Sequence, residues 1–211
     1  MRNLFVGLVP LFVVLLGVGC NNDNVSSDED ARRAYLGLDQ SIGKSVNLGF
    51  QGFNMASSAN IAPQTAMGDK AGTLTVGGQV DQGASANKTM RLEIGMVMYD
   101  DGDIEINDKH DKIHVVYDTD VDPANQPYLE MKLSNIPTGT LDGKITTNTS
   151  LMGVYHLSGD LKGTLALEVT FSGTLMACTA PCMVQRVPGS THVTGTATNN
   201  DGGVYMIDLT I

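Results

Sequence analysis

Two hydrophobic rhythms run along the chain, and they change over near Gly72. Before it, Ala31, Ala34, Tyr35, Leu38, Ile42 and Val46 recur at steps of three and four, which lays one apolar stripe on a helix. Ser27 and Asp28 can cap that helix, and Glu29 and Asp30 suit the positive end of its dipole. The spacing predicts one helix over residues 28–50, weakened by Gly37 and with a break near Gly43. Residues 51–71 are small, polar and contain Pro63, and read as a loop.

From Gly72 onward the period is two. Met90, Leu92, Ile94, Met96 and Met98 alternate with Arg91, Glu93, Val97 and Tyr99, the pattern of a half-buried strand. Leu165, Leu167, Val169 and Phe171 alternate in the same way with Thr164, Ala166, Glu168 and Thr170. Shorter runs lie at 73–80, 113–118, 128–133, 140–146, 151–158, 191–197 and 203–210. Turn formers separate them: Asp101-Gly102, Asp142-Gly143, Ser158-Gly159-Asp160 and Asn200-Asp201-Gly202-Gly203. Gly-Thr pairs open several runs at irregular intervals, so they mark no fixed repeat. No helical pattern falls between the later runs, which excludes parallel βαβ units and leaves a sequential antiparallel meander.

The expected fold is therefore mainly β. About nine antiparallel strands form a curled or closed barrel with one N-terminal helix packed on it. A two-sheet sandwich is the alternative, since it gives the same period. A membrane-spanning barrel is disfavoured, because its lipid face wants aromatic girdles and the chain has no Trp, 6 Tyr and 5 Phe.

The N-terminus carries an address. Arg2 precedes an almost wholly apolar stretch, Leu4 to Val18, that is short for a bilayer span and is interrupted by Pro10. Gly17, Val18 and Gly19 then lead into Cys20. This segment resembles the signal peptides of bacterial lipoproteins, although Gly17 stands where that family usually has leucine. The resemblance implies cleavage before Cys20 and transfer of a diacylglycerol to its thiol. With or without a further palmitate-type acyl chain, that gives two or more anchoring chains, enough for stable attachment. An ordinary secretory signal is the competing reading. Asn21, not aspartate, follows the cysteine, which by the same resemblance points to the outer membrane. Residues 1–19 are read as the signal peptide, 20–30 as lipidated cysteine and flexible tether, and 31–211 as a single domain.

The net charge of -10 becomes -11 once residues 1–19 and their Arg2 are removed, so phosphate backbones are repelled and nucleic-acid binding is not expected. A basic patch for anionic lipid is lacking for the same reason. With Cys20 lipidated, Cys178 and Cys182 remain as a pair, and an oxidising compartment favours a disulfide between them. Met176, Met183 and His192 lie close enough in sequence to keep a Cu(I) site open as an alternative. A redox role is disfavoured by the spacing and by the lack of a βαβ pattern.

Two acidic stretches invite a calcium reading. Asp118, Asp120 and Asp122 alternate as in a calcium loop, but Pro123 and Leu129 occupy the positions where an EF-hand needs glycine and glutamate. Asp100, Asp101, Asp103, Asn107 and Asp108 follow no recognised spacing. Both stretches read by default as solvated hairpin tips, with calcium left open. His110 and His114 sit about 13 Å apart if extended, too far for one ion. His156 is expected on the solvent side. No nucleophile elbow, zinc-protease, P-loop or dinucleotide motif occurs, so neither an enzyme nor a cofactor is expected. The expected role is a lipid-anchored interaction module of the envelope, held to the membrane by its anchor and binding a protein or glycan. The alternative is a carrier of an apolar ligand, with Gly95 and Gly153 leaving room inside a barrel.

Overall fold

The computed structural model describes residues 24–81, 88–107, 109–134, 144–179, 182 and 184–211. Cys20, the Asp142-Gly143 turn, Asp108 and Met183 lie outside them. Helix α1 (Asp28–Met55) starts where its caps dictate. Ser27 Oγ accepts the Asp30 amide at 3.1 Å and donates to the Asp30 carboxylate at 2.8 Å. All six residues of the predicted stripe are buried. The helix runs through Gly43 without a break and ends five residues later than expected. Leu48 and Phe50 still bury beyond Gly43, and burial of each large apolar side chain contributes about 1.5–3 kcal/mol, more than glycine's helix penalty.

The strands are β1 (Asn60–Met67), β2 (Ala71–Val80), β3 (Lys88–Asp100), β4 (Ile104–Glu105), β5 (Lys112–Ile113), β6 (Val115–Asp118), β7 (Tyr128–Ser134), β8 (Lys144–Gly159), β9 (Gly163–Ala177), β10 (Val184–Arg186), β11 (His192–Asn199) and β12 (Val204–Thr210). Among the described residues, ten of them join one antiparallel sheet, and β4 and β5 form a separate small hairpin. The path is a meander from β1 to β12. β6 and β7 share one track between β3 and β8, and β10 and β11 both pair β9.

The fold is mainly β with an N-terminal helix, as the pattern predicted, but the barrel is not closed. β1 and β12 end the sheet without pairing each other among the described residues. Helix α1 packs on both of them, so the sheet curls and the helix fills the gap and the concave face. Nor does the sheet split into a sandwich, because one pairing path runs from edge to edge. β1 lies in the stretch expected to be a loop. It is an edge strand in which only Ile61 is buried, so it has no apolar alternation to read, and Pro63 sits at its register shift.

One face assignment is also corrected. Met90, Leu92, Ile94 and Met96 are buried as predicted, but Met98 is 57% exposed and Tyr99 is 1% exposed. β3 carries one extra residue opposite the Ala71–Thr73 step of β2, and Met98 adopts a φ of 46°. Such a bulge shifts the phase of alternation by one.

Candidate functional site

The structure's most distinctive departure from a plain meander is an excursion between β6 and β7. Residues 119–127 leave the shared track and return to it. Asp118 accepts the Met98 amide at 2.6 Å, so the bulged residue of β3 finds its partner on a side chain. Thr119 donates its amide to Met96 and accepts the Met96 amide on Oγ1 at 2.9 Å. Asp120 then accepts the Asp122 amide at 2.8 Å. Asp122 accepts the Ala124 amide at 3.0 Å and caps the short 3-10 turn Pro123–Asn125. The chain rejoins the sheet where Ile94 donates to Pro127.

Gly95 and Gly153 make this possible, in a way the sequence did not reveal. A Cβ on Gly153 would overlap Pro127, and one on Gly95 would lie 3.0 Å from the Gln126 amide nitrogen. Gly95 faces outward and is covered by Gln126, whereas Gly153 shares the buried face of Leu151 and Tyr155, where buried Pro127 takes the space expected for a ligand. Val121 at the excursion's tip is 90% exposed. Two residues after it, Pro123 and Ala124 begin the excursion's side of a groove of about 310 Å³ that Arg91, Glu93, Gln126 and Tyr128 also line. The Arg91 guanidinium stacks 4.4 Å over the Tyr128 ring. Donors, a carboxylate and a cation thus converge next to an exposed apolar tip.

The second polar constellation joins α1 to the end of β3. Lys44 Nζ lies 2.7 Å from both Asp69 and Asp101. The Asp101 side chain is only 2% exposed, and it also accepts the Tyr99 hydroxyl at 2.6 Å and the Asp69 amide at 3.0 Å. Burial pushes the Tyr99 hydroxyl well up, helped by Asp101. Lys44 holds the Asp69 carboxyl below its ordinary value. Burial opposes charge on Lys44, but Asp101 and Asp69 outweigh it, and its pKa is raised. Nearby, His114 lies 2.9 Å from Asp100, which also accepts the Gly102 amide. Burial raises the Asp100 carboxyl, yet Gly102 and His114 bring it below its ordinary value.

These contacts account for the two acidic stretches. Asp118, Asp120 and Asp122 accept backbone amides, and Asp100 and Asp101 meet cations. Among the described residues Asp103 makes no contact of this kind. Among the described residues no group of three or more His, Cys, Asp and Glu is placed to hold a metal ion. His110 pairs with Glu105 at 3.2 Å, away from His114. His156 lies on the exposed face beside Thr164.

Cys178 and Cys182 sit with their sulfurs in bonding contact and Cα atoms 5.6 Å apart, the geometry of a disulfide. His192 is not brought to them. It lies opposite Ser172, six residues or about 20 Å of strand before Cys178, and hydrogen-bonds Asp208 at 2.9 Å. The loop is held instead by Asn47 of α1, whose amide bonds both the N–H and the C=O of Val184 at 2.9 Å. Asp39 and Arg186 add an ion pair between the same elements.

Sequence reading missed Arg91, Tyr128, Gln126 and Lys44 as site residues. Their partners come from distant strands, and alternation shows only that Arg91 points outward. No protein-family model matches the chain, and neither does any curated protein or solved structure in the comparisons made.

Proposed function

We propose that the chain is a lipid-anchored protein of the bacterial envelope that acts as an interaction module. Its partner engages the outer face at the excursion, with Val121 as apolar contact and the Arg91–Tyr128 groove as polar rim. The observation that carries this reading is the excursion itself. The shared strand track is broken, Gly95 and Gly153 leave room for Gln126 and Pro127 where the chain returns, and Val121 stands almost fully in water. What favours a partner here is the combination of an exposed apolar side chain on the excursion with an arginine and a tyrosine in the groove it lines, the residue types that protein interfaces enrich. A protein segment fits better than a sugar, since Arg91 already covers one face of the Tyr128 ring on which a sugar would stack. The anchor reading is supported by the apolar run ending in Gly19-Cys20.

The test is chemical cross-linking in intact envelopes followed by capture, comparing the parent with Val121→Asp and Arg91→Ala. A protein partner present with the parent and lost in both variants is the expected result. Capture that both variants leave unchanged would place the contact elsewhere, and peptidoglycan or another glycan in the captured fraction would reassign the partner class.

A further inference from the structure

We infer that the anchored protein lies directly on the bilayer, with the end bearing the Asn199–Gly203 hairpin, Val204 and Met206 turned toward the lipid headgroups. The inference rests on the proposed lipidation of Cys20. Its own basis is how soon order begins after that residue. Asn24 already bridges to Lys162. Val25 is 1% exposed, and its carbonyl accepts the Asn199 side-chain amide at 2.9 Å. Ser27 then caps α1. The stretch expected to be a free tether through residue 30 is therefore docked from Asn24 onward.

Three residues, Asn21 to Asp23, separate Cys20 from Asn24. Fully extended, that link reaches about 14 Å. The 28 residues of α1 alone span about 42 Å. A leash that much shorter than the body cannot let the body turn its anchored end away from the membrane. The anchored end is the one where Asn199 holds Val25, where the Gly159–Gly163 hairpin presents Lys162 to Asn24, and where α1 begins.

The surface there suits an interface. Its hairpins carry Asp160, Lys162, Asn200 and Asp201, polar groups at home among hydrated headgroups. Beside them, Val204 and Met206 are 61% and 59% exposed. Val204 pairs with Thr198, next to Asn199, and the Met206 amide is held by Asp28 at the start of α1. Two apolar side chains thus flank the point where the leash enters. With the net charge of -11 that remains once residues 1–19 and Arg2 are gone, the anchored chain has no basic attraction to anionic lipid, so acyl chains hold it and this face only rests on the surface. A partner at Val121 is then met within one molecule's height of the bilayer.

The chain has no tryptophan, so a single introduced one is a clean reporter. Val204→Trp and Met55→Trp place it at exposed positions, the latter at the far end of α1. The full lipidated chain is reconstituted in phosphatidylcholine vesicles containing lipid with a nitroxide on its headgroup, and the mass of the N-terminal peptide is read from the same sample. The expected result is a lipidated Cys20, strong quenching at 204 and none at 55. Equal quenching at both positions, or none at either, with Cys20 lipidated would overturn the orientation and leave the anchor standing. An unmodified Cys20 would remove the anchor reading and this inference with it.

Discussion

Gly43 and Gly49 lie six residues apart on α1, yet replacing each has opposite consequences. A Cβ on Gly43 meets nothing within 4 Å. Gly43→Ala should therefore stabilise by about 1 kcal/mol, the helix-propensity difference, seen as a higher melting temperature. A Cβ on Gly49 comes to 2.5 Å of Leu92, which is fully buried, so Gly49→Ala should lower the melting temperature. Lys44 gives a charge-based prediction. Lys44→Met leaves the nearly inaccessible Asp101 carboxylate without its cation, at a cost of about 3 kcal/mol. The sign with pH follows from Asp69, whose folded pKa lies below its ordinary 3.8. A depressed carboxyl contributes stability above that ordinary value and loses it as pH falls through the folded one. The part of the gap between parent and Lys44→Met that Asp69 contributes should thus be full at neutral pH and shrink below pH 3.8, as followed by thermal denaturation across pH.

Among elements, the Cys178–Cys182 bridge closes a small loop between β9 and β10. Chain entropy assigns so short a loop about 2 kcal/mol, so the Cys178→Ala/Cys182→Ala pair should show that loss in urea unfolding. β10 should stay in place, because the Asn47 side chain still pairs Val184. This cysteine pair was legible once Cys20 was set aside as the expected lipid site, which leaves Cys178 and Cys182 as the remaining two, and α1 was legible from its stripe and caps. The edge strand β1 was not, because a strand with one buried residue leaves no periodic trace. The bulge at Met98 was not either, because one inserted residue shifts the phase without altering composition. Nor could β6 and β7 be recognised as one broken track. Residues 119–127, rich in Asp, Asn and Pro, read like any hairpin turn, and only the shared neighbours β3 and β8 show otherwise.

At the scale of the whole molecule, alternation tells which side of each strand is buried but not what covers it. A closed barrel, a sandwich and a curled sheet around a helix all write the same pattern. Here the apolar stripe of α1 is the cover, and the helix lies where β1 and β12 would otherwise have met. That arrangement bears on the carrier alternative. The apolar cavity between α1 and the sheet, lined by Ile42, Val46, Phe171 and Leu175 among others, measures about 30 Å³. That is room for a water or two and far below what a fatty acyl chain occupies. Tyr35, Leu38 and Ile42 meanwhile hold the concave face at 0–2% exposure. A ligand could enter only if α1 left, exposing the whole core face of the sheet. Native mass spectrometry of residues 21–211 exported without the anchor should therefore give the bare mass of the chain, two hydrogens below the reduced value. An added mass that is lost on denaturation would mean instead that α1 swings out as a lid, and the carrier reading would replace the interaction module.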